Sequence, residues 1–168
     1  AALRVLVAHG ADVRRCDSNG WQPIHLASVE GHQDTVAYLI EQGVDVNCKC
    51  VGSKNHTPLM MCIQSRKFSA DVMRLLLDAG ARWDAMSATG YNCLHACAVR
   101  DNVEAALIFD KAGAKLDPPP NLSERAGDKD KSTLMDLCVR YGSPRLADFV
   151  HRRTGQPLPD KPIQAKER

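Results

Sequence analysis

Apolar positions along this chain recur at helical spacing in short bursts, and each burst closes on glycine. "VLVAHG", "YLIEQG", "LLLDAG" and "IFDKAG" end at Gly10, Gly43, Gly80 and Gly113, spaced 33, 37 and 33 residues apart. An earlier burst precedes three of them, opening "QPIHLA", "TPLMMC" and "NCLHAC", with His25 and His95 at the same phase. Two independent features at one period mark a tandem array. The pattern predicts a helix, a reversal, a second helix and a projecting hairpin in each period.

Single residues give each element its reason. Thr57, Asn92 and Thr133 stand where a helix start needs a side-chain oxygen to satisfy its free N–H groups. Gln22 caps poorly, but Pro23 and Pro58 in the first turn are pre-set for the helix. Ile24, Ala27 and Ser28 face inward from one helix, and Val36, Leu39 and Ile40 from the next. Gly31 permits the reversal between them, and Gly43, Gly80 and Gly113 stop the second helix in the left-handed conformation. Gly20 and Gly90 occupy the hairpin turn, where Asn55 stands in for glycine. Trp83 replaces a valine of the hairpin arm, a buried phase, and is expected in the core.

Hairpin, helix, turn and helix at a period of about 33 residues, with T-P-L-H-like helix starts, resembles the ankyrin repeat. The resemblance implies an all-α solenoid of stacked helix-turn-helix units with short β-hairpin loops, over residues 1–156. Residues 1–16 read as a partial repeat, 17–49 and 87–119 as repeats, and 50–86 as a repeat with insertions. Two of its four extra residues are assigned to "NCKCVGSKNH" and two to "SRKFSAD". Residues 120–156 read as a long loop plus a divergent capping repeat, and 157–168 as a flexible tail. In that last repeat Leu134, Leu137 and Cys138 are expected to pack inward with Leu146, Phe149 and Val150. Arg140, Arg145, Arg152 and Arg153 supply the polar outer face an end repeat needs.

Composition narrows the class. With 44% apolar and 25% charged residues, the 168-residue chain has a folded composition. A net charge of +2 gives no reason to expect nucleic acid. No apolar run reaches the roughly 18 residues of a membrane-spanning helix. Seven scattered cysteines fit a reducing compartment, cytoplasmic or nuclear, and the chain is expected to be an intracellular monomer. It opens mid-repeat and without Met, so it reads as a fragment.

Two clusters of cysteine and histidine bear on chemistry. Cys48 and Cys50 with His56 and Cys62 lack zinc-like C-x₂₋₄-C spacing, and Cys62 holds a core position. Cys93, His95 and Cys97 crowd one helix start, but a nucleophilic dyad needs a base oriented by a third group. The repeat assigns them to capping and core, with His25 and His95 as buried rings tying neighbouring turns. No phosphate loop, nucleophile elbow or paired-carboxylate motif appears, so no enzyme and no cofactor is expected here. The resemblance also marks Asn47 as a candidate for hydroxylation by an asparaginyl hydroxylase. Simple hydrogen bonding within the hairpin is the plainer role for it.

The resemblance implies a partner surface of hairpin tips and first-helix ends. The tip positions are Trp21, His56 and Tyr91, flanked by Asn19 and Thr89. The helix-end positions are Val29 and Glu30, Gln64 and Ser65, and Val99 and Arg100. Rings at three tips are notable in a chain with 5% aromatic residues, because aromatic anchors dominate binding energies. The expected function is therefore a non-catalytic interaction module for a protein or peptide. An alternative is the substrate-receptor subunit of a cullin-type ubiquitin ligase. "TLMDLC" and the later "PLP" are similar to a SOCS box through Leu134, Cys138, Pro157, Leu158 and Pro159, but Gly142 stands where an apolar residue is wanted. A segment of a larger enzyme or channel is the third reading.

Overall fold

A computed structural model describes residues 2–50, 55–114, 116 and 133–165. The long loop expected before Thr133, the centre of the 48–56 hairpin and the end of the tail lie outside these residues. The backbone forms two compact units, Ala1–Arg82 and Trp83–Arg168.

The first unit holds α1 (Ala2–Ala8), α2 (Pro23–Glu30), α3 (Gln33–Glu41), α4 (Pro58–Gln64) and α5 (Ala70–Asp78). Its helix starts are chemically specified. Pro23 and Pro58 open α2 and α4, Thr57 Oγ1 accepts from Met60 N, and Ser69 Oγ accepts from Val72 N. α2 packs on α3 and α4, while α5 packs on α3 and α4, so first helix meets first helix and second meets second. Ile24, Leu39, Leu59, Met60, Ile63, Met73 and Leu76 fill the space between them and are fully buried. Each contributes about 1.5–3 kcal/mol by leaving water. α1 buries no residue, and Val5 and Leu6 stay 57% and 58% exposed. Polar ties from Arg4, whose guanidinium lies 4.4 Å over the Tyr38 ring and 3.8 Å from Glu41, hold it to α3.

The turn between α2 and α3 is two residues, whereas that between α4 and α5 is five. The longer turn closes over Gly31, where φ is +72° and a Cβ would meet the Lys67 carbonyl oxygen at 3.0 Å. Both the left-handed backbone and the close approach require glycine there.

The second unit holds α6 (Cys93–Arg100), α7 (Val103–Lys111), α8 (Leu134–Tyr141) and α9 (Pro144–Thr154). Asn92 Oδ1 accepts from Leu94 N and His95 N, and Thr133 Oγ1 accepts from Asp136 N. α6 packs on α7 and α8, and α9 packs on α7 and α8, around fully buried Leu94, Phe109, Leu134, Leu137 and Leu146. Arg140, Arg145, Arg152 and Arg153 are exposed. Phe149, expected inside, is only half-buried, as is Trp83. Trp83 lies at the edge of the core, its ring centroid 6.4 Å from that of Phe109.

The fold is all-α, with no strand among the described residues. The projecting turns are closed by backbone bonds from Asp17 N to Trp21 O, Cys50 N to His56 O, and Ser87 N to Tyr91 O, each joined by a second bond across the turn, from Gly20 N to Asp17 O, Asn55 N to Cys50 O and Gly90 N to Ser87 O. Cys50 and His56 form an isolated antiparallel bridge and not a ladder.

Candidate interaction surface

In the first unit the tip is built on Asp17. Its Oδ1 accepts from Asn19 N at 2.9 Å and from Trp21 N at 2.8 Å, which fixes the backbone carrying the indole. Trp21 and His56 are half-buried and Asn19 is exposed. At the helix ends Gln64 is half-buried, Val29 is half-buried, and Glu30 is exposed. Ser65 is already engaged, its hydroxyl donating to the Val29 carbonyl. Glu30 pairs with Lys67, whose hydrogen bond and charge hold its carboxyl below the usual range.

Asn47 does more than close a hairpin. Its Nδ2 donates to Gly80 O at 3.0 Å and its Oδ1 accepts from Arg82 N at 2.8 Å, tying one repeat to the exit of the next. One repeat earlier Arg14 makes the matching bond, its guanidinium donating to Gly43 O at 3.0 Å. Hydroxylation of Asn47 would act on a side chain whose amide is bonded at both ends.

In the second unit Ser87 plays the part of Asp17, its Oγ accepting from Tyr91 N at 3.0 Å. Exposed Thr89 places its hydroxyl 3.2 Å from the same oxygen. The Tyr91 ring lies 5.0 Å from the His95 ring and 6.3 Å from the Tyr141 ring, and the two tyrosine hydroxyls are hydrogen-bonded. Burial and that bond push the Tyr141 phenol up to about 12. Val99 and Arg100 are half-buried at the end of α6. Arg140 and Tyr141 end α8 as Val99 and Arg100 end α6.

The histidines are built into the scaffold. His25 is fully buried, its Nδ1 accepting from Gln22 N at 3.2 Å and its Nε2 donating to Cys48 O at 3.2 Å. Burial lowers its pKa, so it is neutral with both nitrogens used. His95 departs from expectation: it is half-buried, and its Nδ1 contacts the capping Asn92 at its own helix start. Burial, with help from nearby Arg140, pulls its pKa down to about 4.

All seven cysteines are free thiols. Burial pushes Cys62 up to about 11, Cys48 and Cys138 up to about 12, and Cys97 further upward, so these thiols stay protonated and are poor nucleophiles. Among the described residues no group of three His, Cys, Asp or Glu side chains is placed to hold a metal. Leu134 and Cys138, the anchors of the SOCS-box resemblance, are spent in the core, while Leu158 is exposed. Gly142 ends α8 at φ +67°.

The comparisons with known proteins agree with this geometry. A family model of ankyrin repeats in three copies matches residues 1–50. The NF-kappa-B inhibitor cactus of Drosophila yakuba is 27% identical over 150 residues, covering 88% of this chain and 30% of the relative. Rabankyrin-5 of Mus musculus is 32% identical over 145 residues, covering 81% of this chain and 12% of the relative. The chain belongs to the ankyrin-repeat family. Its ankyrin pattern also occurs beside enzymatic function, for the palmitoyltransferase Hip14 of Drosophila melanogaster is 34% identical over 95 residues, 56% of this chain and 14% of the relative. The chain thus spans less than a third of the length of each of these relatives. No helix among the described residues is long and apolar enough to cross a membrane.

Proposed function

We propose that this ankyrin segment is a non-catalytic interaction module that holds a protein or peptide partner on its hairpin tips and first-helix ends. The first unit contributes Trp21, Asn19, Val29, Glu30, His56, Gln64 and Ser65; the second contributes Tyr91, Thr89, Val99 and Arg100. The observation carrying this reading is the pinned backbone under each aromatic tip, by Asp17 below Trp21 and by Ser87 below Tyr91. A tip whose backbone is held before contact loses less conformational freedom on binding. The protonated buried thiols and the doubly bonded His25 support the non-catalytic part. The free cysteines support a reducing intracellular compartment. A monomer without nucleic-acid contacts completes the proposal, in keeping with the net charge of +2.

The test is selection of random twelve-residue peptides displayed on phage against the whole 168-residue chain. Recovered peptides are expected to lose affinity by about tenfold or more on Trp21→Ala or Val99→Glu, with the helical circular dichroism unchanged. Failure to recover any peptide, or binders indifferent to both substitutions, would overturn the proposal.

A further inference from the structure

The first unit exposes leucines at two positions that later periods bury. Leu6 stands four residues before Gly10, as Leu39, Leu76 and Phe109 stand before Gly43, Gly80 and Gly113. Those three are fully buried, whereas Leu6 is 58% exposed. Leu26 stands four residues after the N-cap Gln22, as Met61 does after Thr57 and Leu137 after Thr133. Met61 and Leu137 are 6% and 0% exposed, and Leu26 is 45% exposed.

Neighbouring helices account for the difference. α4 has α2 against it, α8 has α6, and α3 has α2 as the first helix of its own repeat. Among the described residues no helix precedes α1. Nothing there does for α1 what α2 does for α3, or for α2 what α2 does for α4. In the next period a single helix does both, because α2 packs on α3 and on α4 at once. One further helix in the same relation to α1 and α2 would therefore cover Leu6 and Leu26 together.

We propose that the flank marked by Leu6 and Leu26 docks one amphipathic helix of a further ankyrin-type unit, joined to α1 by a short turn. That helix has the chemistry of α4: a hydroxyl-capped start opened by proline, then large apolar side chains, as in Thr57, Pro58, Leu59, Met60 and Met61. A terminal unit of a repeat array needs a polar outer face, and leucines there mark an interior stacking face instead. Their transfer out of water supplies the driving force, without any polar contact. A second copy of this chain is the poorer occupant. Its own flank would bring the same two helices already packed, not one helix able to turn into α1.

The test extends the full chain with a copy of residues 57–70 placed directly before Ala1, so that the sequence of α4 and its turn runs into α1 in phase. Amide protection across α1 and α2 is expected to rise about tenfold or more, since burying one leucine is worth at least that factor, with α9 unchanged. Leu6→Glu/Leu26→Glu should cancel the gain in the extended chain. The same pair in the native chain should leave its helical circular dichroism as it was. No gain in protection, or a gain that survives the two glutamates, overturns the proposal. So does loss of helix in the native chain carrying the pair, because the leucines would then already serve the fold. Sedimentation showing self-association of the native chain that the pair abolishes would assign the flank to a second copy and overturn it as well. None of these outcomes bears on the hairpin tips, whose proposed role is tested separately.

Discussion

The α4–α5 pair of the first unit and the α8–α9 pair of the second solve one problem, joining a first helix to a second, with different numbers of residues. In the first unit the five-residue turn after α4 carries two serines that divide the work. Ser65 donates to the Val29 carbonyl of the preceding repeat, and Ser69 caps α5 through Val72 N. In the second unit the turn after α8 is Gly142 and Ser143 alone, and Ser143 has one hydroxyl for both tasks. It donates to the Ala98 carbonyl and makes no capping bond. The cap for α9 comes from elsewhere: Asp101 Oδ1 accepts from Leu146 N across 45 positions of sequence. The three extra residues of the α4–α5 turn therefore have a physical use, because they give each serine a single task. The last repeat, whose one turn serine is spent on Ala98, imports its cap from the left-handed turn of its neighbour, where Asp101 sits at φ +51°. Gly31 holds the same place in the first unit, and the Lys67 carbonyl at 3.0 Å leaves it no room for a side chain.

Removing the imported cap should produce the largest effect. Asp101→Ala strips Leu146 N of its acceptor and puts a residue without local hydrogen-bonding ability into the left-handed region. We expect a loss of about 2–3 kcal/mol from the second unit. Ser69→Ala, the local counterpart, should cost the first unit about 1 kcal/mol. Urea unfolding followed by amide exchange resolved along the chain separates the two units. Equal losses would mean that the carboxylate is no more than an ordinary cap. Asp101→Gly sharpens the reading: it relieves the backbone but not the missing acceptor, and should recover only part of the loss.

Much of this framework was legible in the sequence, and the reason is locality. Thr57, Asn92 and Thr133 act within three residues of themselves, so composition at one point sufficed to place three helix starts. The phase of Gly43, Gly80 and Gly113 placed the helix ends for the same reason. What remained hidden was contact between repeats. Nothing near Tyr91 announces Tyr141, 50 positions on, and nothing near Asp101 announces Leu146. Arg14 and Asn47 make the same tie to the glycine exit of the next repeat with unrelated side chains, so only coordinates reveal the shared role. The tip positions were found by phase, yet their surroundings were not: Tyr91 is braced against His95 and Tyr141, and Ser65 is consumed by the scaffold.

The paired serines give a smaller effect and a finer comparison. Ser143 is fully buried, whereas Ser65 is half-buried. Ser143→Ala should leave the Ala98 carbonyl without this donor in a dry site and cost about 1–2 kcal/mol. Ser65→Ala lets water reach the Val29 carbonyl and should cost less than about 1 kcal/mol. The same urea and exchange measurements report both, and a reversal of that order would mean that burial does not set the cost.

The smallest expected effect concerns pH and the exposed side of the second unit. His95 titrates near 4 in the folded chain, below the roughly 6.5 of an unfolded histidine. Below about pH 6.5 the unfolded chain takes up a proton that the folded one refuses, so stability falls with acidification and goes on falling down to the folded pKa. The contribution is complete above pH 6.5 and is eroded between there and about 4. Because the ring is only half-buried, the loss between pH 7 and 5.5 should be about 1 kcal/mol or less. His25 is shifted the same way by deeper burial and adds a parallel loss in the first unit. His95→Gln should flatten the pH dependence of amide protection across α6 and α8 while leaving that of α2 and α4 unchanged. If the second unit kept its acid sensitivity in that variant, His95 would not be its source, and the crowding of Arg140 against a neutral ring would lose its energetic meaning.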